Sequence, residues 1–316
     1  MRFQSLLAIL TVAPLLGAAS EPVRLAPASK WVLDYGDKSC RLIRTFGDPA
    51  EPTVLVFERA SPRSGLSMVA IGKALKPSAG KEEVTARFLP VENIKFDSGR
   101  PAKSADQKDP AVLWSHVDFV PVIEDDGQAA EALQAELKKA MDAHERGERP
   151  PPRDLPILAS KRAESQANAV RTSAIEISAR RNRPVILETG SLGRPIKMLY
   201  DCSRHQLRGW GLDPDVEEKI VRPVWAAEPS SWFTSDDYPM SRVMRNEESV
   251  VQARLLVDAT GKITKCTALS HIDAPEFQKA VCDAYTKRGR FEPAELADGT
   301  KVPSYYVQTT IFRMPR

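Results

Sequence analysis

The chain has 316 residues, with 45 basic and 42 acidic side chains and a formal net charge of +3. That length accommodates two domains, or one large one, each with a core of its own. Hydrophobic content of 42% and charged content of 28% exclude a disordered or fibrous chain, and so small a net charge leaves no electrostatic footprint for nucleic acid.

One Arg at position 2, an apolar run from Ser5 to Leu16 and the small residues Gly17-Ala18-Ala19-Ser20 predict a secretory signal peptide over residues 1–20, cleaved after Ala19 or Ser20. The competing reading is an uncleaved anchor. The run is short for that, and Pro14 lies inside it. No later segment is long and apolar enough to span a bilayer as a helix. The four cysteines, at 40, 202, 266 and 282, form no C-x-x-C pair. In an oxidising compartment they predict two disulfides, for which three connectivities are open. Cys202 and His205 share a predicted helix face, but a metal site would need two further ligands at suitable spacing, and none follows.

Residues 22–225 read as one mixed α+β domain. Strands are predicted at Trp31–Tyr35, Cys40–Phe46 and Thr53–Phe57, separated by turn residues in the manner of a meander, with weaker strands at Leu66–Ile71 and Val84–Leu89. Residues 97–112, polar and interrupted by Pro101 and Pro110, predict a loop. A helix is predicted over Gln128–Arg146 from the stripe Leu133, Leu137 and Met141, and Arg149–Arg153 with its three prolines reads as a stiff linker. Thr172–Ser178 and Pro184–Glu188 predict a hairpin, followed by a helix from Pro195 to about Arg208 that ends at Gly209.

Residues 226–237 carry no hydrophobic period and read as an interdomain linker. The domain after it, residues 238–316, has a clearer pattern. A short helix is predicted at Met240–Glu247 and a strand at Val250–Asp258 with Val251, Ala253, Leu255 and Val257 on one face. A turn at Gly261 leads to the returning strand Ile263–Ser270. Then come a helix over Ala274–Lys287, with Phe277, Ala280, Val281 and Ala284 as its stripe, and a last strand over Val302–Arg313.

Catalytic signatures are missing from this inventory. The four histidines, at 116, 144, 205 and 271, are scattered, and no H-E-x-x-H, G-x-S-x-G, G-x-G-x-x-G or P-loop occurs. Glu188-Thr189-Gly190 occurs once, with Glu where a D-T-G protease motif has Asp. The expectation is a protein that is not an enzyme and has no catalytic residues, no cofactor and no bound metal.

The order helix–strand–strand–helix–strand resembles the TonB C-terminal domain family. The matching residues are Tyr238-Pro239, Val257-Asp258-Ala259-Thr260-Gly261-Lys262-Ile263, Arg290-Phe291-Glu292-Pro293-Ala294 and Asp298-Gly299-Thr300-Lys301-Val302. The family's Ser-Ser-Gly after the second strand and Leu-Asp early in the helix are replaced here by Leu269-Ser270-His271 and Phe277-Gln278. The resemblance implies a small domain in which a three-stranded antiparallel sheet packs on helices, beside an N-terminal domain of no named family. It also implies a binding mode: the last strand, at the sheet edge, adds an extended peptide such as the TonB box of an outer-membrane receptor. Carried to this chain, the capturing strand is Tyr305, Tyr306, Val307, Gln308, Thr309, Thr310, Ile311, Phe312 and Arg313. The partner is then such a receptor peptide, another periplasmic protein, or a second copy joined through the same edge. Within this arrangement Cys266, in the second strand, is expected to pair with Cys282, in the helix packed on it, and Cys40 with Cys202. The implied protein is periplasmic and linked to transport across the outer membrane. A long extended spacer for an inner-membrane-anchored energy transducer, on the periplasmic side, is not present. That transducer, and a secreted enzyme with its site in residues 22–225, are the alternative readings.

Overall fold

The computed structural model describes residues 21–314, except 37, 76–83, 92–93, 95–97, 104–107, 120–134, 136–137, 144, 180–181 and 270–274. The expected signal peptide lies outside the described residues. So does most of the helix expected over Gln128–Arg146, within which residues 138–143 are helical.

The N-terminal half is built from β1 (Val23–Leu25), β2 (Val32–Tyr35), β3 (Cys40–Phe46), β4 (Thr53–Arg59), β5 (Leu66–Ile71), β6 (Val84–Leu89), β7 (Arg100–Lys103), β8 (Pro110–Val117), α1 (Leu155–Arg171), β9 (Ala174–Ala179), β10 (Val185–Leu187), α2 (Gly193–Gly209) and α3 (Pro214–Glu217). Six strands form one antiparallel sheet in the order β2-β3-β4-β5-β8-β7, and four form a mixed sheet in the order β1-β10-β9-β6, in which β1 runs parallel to β10. Strict alternation drives this. Thr53, Leu55, Phe57 and Arg59 of β4 point inward while the residues between them are only half buried. Leu66, Met68 and Ala70 do the same in β5. Leu55, Phe57, Leu66, Met68 and Ala70 make one core with Phe88, Trp114, Phe119, Ile196 and Leu199, in which the rings of Phe88 and Phe119 stack at 4.1 Å.

Two sequence expectations are corrected here. Residues 97–112 are not simply a loop, because β7 and the start of β8 pair there as the sheet's outer hairpin. Pro101 is tolerated on the edge strand β7 and Pro110 opens β8, the two strand positions where a missing N–H costs little. The 17-residue α1 was not predicted. Its inward residues are Ser165, Asn168 and Ala169, small or polar, so no hydrophobic stripe announces it. Asn168 is accommodated by donating from its side-chain amide to the Phe119 carbonyl at 2.8 Å.

The C-terminal part comprises β11 (Ile220–Arg222), α4 (Met240–Val243), β12 (Ser249–Val257), β13 (Ile263–Ala268), α5 (Pro275–Arg288), β14 (Ala294–Leu296), β15 (Lys301–Val302) and β16 (Ser304–Phe312). Its two three-stranded antiparallel sheets run β13-β12-β16 and β11-β14-β15. The last strand therefore starts at Ser304, after Pro303, while Val302 pairs with Ala294 in the other sheet. Arg313 lies beyond the strand's end. This core starts ahead of the composition break at 226–237: Ile220, Val224 and Ala226 join Val251, Ala253, Leu255, Val257, Phe277, Val281 and Tyr285, with Trp232 and Phe233 packed against them. The proline run is tied to the same unit, Arg153 N–H donating to Val221 O at 2.8 Å and the Arg149 guanidinium to Pro293 O at 2.7 Å.

Two disulfides complete the covalent frame. Cys40 of β3 bonds Cys202 of α2, and Cys266 of β13 bonds Cys282 of α5. The hairpin between β12 and β13 turns at Gly261, whose φ is +86° and whose absent Cβ would lie 2.1 Å from Phe291 O. Gly299 has φ +84° with open space around it. Both positions disfavour a side chain on backbone grounds by about 1–2 kcal/mol, but only Gly261 adds a backbone collision. We therefore expect Gly261→Ala to lower stability by about 2 kcal/mol or more, and clearly more than Gly299→Ala, in thermal unfolding of the two variants.

Candidate strand-capture edge

β12 is the central strand of its sheet, β13 covers one side of it and β16 the other. The register fixes which main-chain groups of β16 are used. Leu269 N–H donates to Gln252 O at 2.7 Å, so Gln252, Arg254 and Leu256 turn their main-chain groups toward β13. The intervening residues Val251, Ala253, Leu255 and Val257 then bond to their partners Thr310, Gln308, Tyr306 and Ser304 on β16. The alternate residues Tyr305, Val307, Thr309 and Ile311 face away from β12, on the side where no further strand pairs among the described residues.

Side chains follow the same alternation. Tyr306, Thr310 and Phe312 lie on the α5 side of the sheet: Tyr306 packs on Phe291 at 5.2 Å between ring centres, Phe312 on Phe277 at 4.8 Å, and the Tyr285 and Thr310 hydroxyls are 3.3 Å apart. Burial pushes the Tyr306 phenol up to about 12, so it stays protonated. On the opposite face Tyr305 is 2% exposed, whereas Ile311 and its cross-strand neighbour Val250 are 54% and 50% exposed. A helix behind a three-stranded antiparallel sheet, with the last strand at its edge, is the arrangement expected from the resemblance above.

Residues 235–314 match the family of the Gram-negative bacterial TonB protein C-terminal. The match spans a quarter of the chain. No curated protein and no solved structure matches the chain.

The TonB-type domain is not free-standing. Where β16 begins, the loop after β4 grips it. Arg63 donates from its guanidinium to Tyr305 O at 2.6 Å and to the Ser304 hydroxyl at 3.1 Å, its N–H donates to the Tyr305 phenol oxygen at 2.9 Å, and its guanidinium lies 4.0 Å over the Tyr305 ring. The same guanidinium pairs with Glu217 of α3, which accepts a second bond from the Ser304 hydroxyl at 2.8 Å. Glu217 is 5% exposed. Burial raises its pKa above the usual carboxylate range, against the opposing pull of Arg63. Beside this clamp Tyr305 meets Trp210 edge-on at 5.5 Å together with Leu207 and Leu212. Arg254 of β12 stacks on Trp210 at 3.6 Å, and burial pulls its guanidinium down to about 10.

The nine residues of the expected capturing strand thus divide into four groups. Tyr305 is held by the N-terminal half. Tyr306, Gln308, Thr310 and Phe312 are committed to β12. Val307, Thr309 and Ile311 turn their main-chain groups away from β12, and Arg313 follows the strand. Sequence reasoning missed the clamp. Arg63 lies 242 residues from Tyr305, and an Arg in a Ser-rich loop carries no local signal of a distant partner. Among the described residues no group of His, Cys, Asp and Glu could hold a metal ion, and no helix is long and apolar enough to cross a membrane. Cys202, once a conceivable ligand beside His205, is consumed by its disulfide.

Proposed function

We propose that the protein is an exported, periplasmic TonB-like protein that captures an extended partner peptide, such as the TonB box of an outer-membrane receptor, by β-strand addition along Val307–Ile311 and serves transport across the outer membrane. The reading is one of binding rather than catalysis. The observation that carries it is the row of outward main-chain groups at Val307, Thr309 and Ile311 on an edge strand of the TonB-type domain. A guest strand completes that ladder with main-chain bonds, and the exposed Ile311 and Val250 side chains give it an apolar contact.

Proline at two adjacent positions separates capture from folding. In Thr309→Pro the lost N–H is an outward one, which an edge strand tolerates. In Thr310→Pro the lost N–H bonds β12, so the sheet itself suffers. With synthetic receptor TonB-box peptides in fluorescence anisotropy, we expect Thr309→Pro to bind about tenfold or more weakly than the parent protein while its Tm stays within a few degrees, and Thr310→Pro to lose several degrees. Unchanged peptide affinity in Thr309→Pro would remove the edge from the proposal.

A further inference from the structure

A cavity of about 620 Å³ lies between α1, α2 and the end of β4, and the clamp residues Arg63 and Glu217 form part of its lining. Six basic side chains line it against three acidic ones. The acidic three are spoken for: Asp201 pairs with Lys197, Glu217 with Arg63 and Glu218 with Arg204. Among the described residues Arg59 and Arg153 make no ion pair. Arg59 occupies the last inward position of β4, in line with Leu55 and Phe57, and is 8% exposed. Its Nε donates to Ser61 O at 3.0 Å and its Nη2 to Pro62 O, and it lies 4.0 Å over the Tyr200 ring, which leaves Nη1 without a partner among the described residues. Arg153 donates to Ile220 O, while its Nε is buried with no partner. Leu155 and Leu158 of α1 supply an apolar wall.

Arg59 is buried and Arg153 half-buried, and the carboxylates nearest them, Asp118 and Glu217, act on them without forming an ion pair. Guanidiniums taken from water with so little compensation are costly, and the cost falls if something anionic enters. Burial lowers the pKa of both, consistent with that unmet demand. We propose that this cavity binds a small amphiphilic organic anion, its carboxylate or phosphate head set in the positive field of Arg59 and Arg153 and its apolar body along Leu155 and Leu158. Charge-assisted bonds from a guanidinium are strong and select for the head. A cavity of this size holds a body of drug-like dimensions. The inference does not rest on peptide capture by β16, although Arg63 and Glu217 belong both to this lining and to the clamp on the start of that strand.

Decanoate, decanol and decyltrimethylammonium share a chain length and differ in head charge. By titration calorimetry on the full chain we expect decanoate to bind saturably, about tenfold or more tightly than decanol, and decyltrimethylammonium not at all. Arg59→Gln should bring decanoate down to the level of decanol. Because Arg59 also supports its loop, Leu158→Glu offers a second route: this side chain is over one-third exposed, so the substitution is tolerated, yet it adds a negative charge to the wall and should weaken decanoate about tenfold. Equal affinity for decanoate and decanol, no saturable decanoate binding, or a folded Leu158→Glu protein that binds decanoate like the parent would each overturn the proposal.

Discussion

Replacing Cys40 and Cys202 together by alanine should lower the stability of the protein by about 5 kcal/mol, the largest effect expected of any substitution here. The two residues are 162 apart in sequence. Their bond closes a loop that holds most of the N-terminal strands, and chain-entropy arithmetic for a loop of that length gives about 5 kcal/mol at 25 °C. Both sulfurs are fully buried between β3 and α2, so the alanine pair also leaves a small void. The companion bond spans 16 residues, and the same arithmetic gives about 3 kcal/mol. Urea unfolding of the oxidised protein and of the two double-alanine variants, followed by tryptophan fluorescence, should rank them in that order. If the Cys266/Cys282 variant proves the weaker of the two, loop closure is not what the bonds contribute.

The second large effect belongs to Arg63. Its side chain is 19% exposed and that of Glu217 4%, so Arg63→Met strands a carboxylate in a nearly dry site. Breaking a buried pair from one side costs about 3–5 kcal/mol. The pH dependence identifies the cause. A carboxyl whose pKa is higher in the folded than in the unfolded state binds its proton more tightly when folded. Stability from it is then present at acid pH and declines as the pH rises through the folded pKa. Glu217 already has that direction, and without Arg63 it moves further up. The deficit of Arg63→Met should be larger at pH 7.5 than at pH 5, shrinking as the pH is lowered, and lose its pH dependence in Arg63→Met/Glu217→Gln. A deficit that stays constant across that range would assign the loss to packing rather than to the uncovered charge.

Period-two patterning made much of the sheet structure legible. Cys40–Phe46, Leu66–Ile71 and Val84–Leu89 coincide with β3, β5 and β6, and the inward face of β12 falls on Val251, Ala253, Leu255 and Val257. The pattern failed where burial is not hydrophobic. Helix α1 faces the core with Ser165, Asn168 and Ala169, and β7 with Pro101 looks like a loop until a neighbouring strand accepts it as an edge. The family resemblance located β16 but read its whole length as open. Whether a strand edge is open depends on what the rest of the chain lays against it, and the residues that close one end, Arg63 and Glu217, come from far upstream. The cavity was illegible for a similar reason: Arg59 and Arg153 are ordinary surface-type residues in sequence, and only the fold turns them inward.

The grip on Tyr305 makes β16 a ledge with a stop at one end. Arg63 fills the outward side of the strand at that carbonyl, so a guest lying alongside cannot continue past it. The usable run, Val307 to Ile311, is about 17 Å long at the usual rise of a strand. A guest added as proposed must therefore terminate, or swerve away, level with Tyr305. Under the proposed strand capture, the upstream half of the molecule acts as a ruler, favouring short extended segments beside a free chain end or a sharp bend over long uninterrupted β-strands.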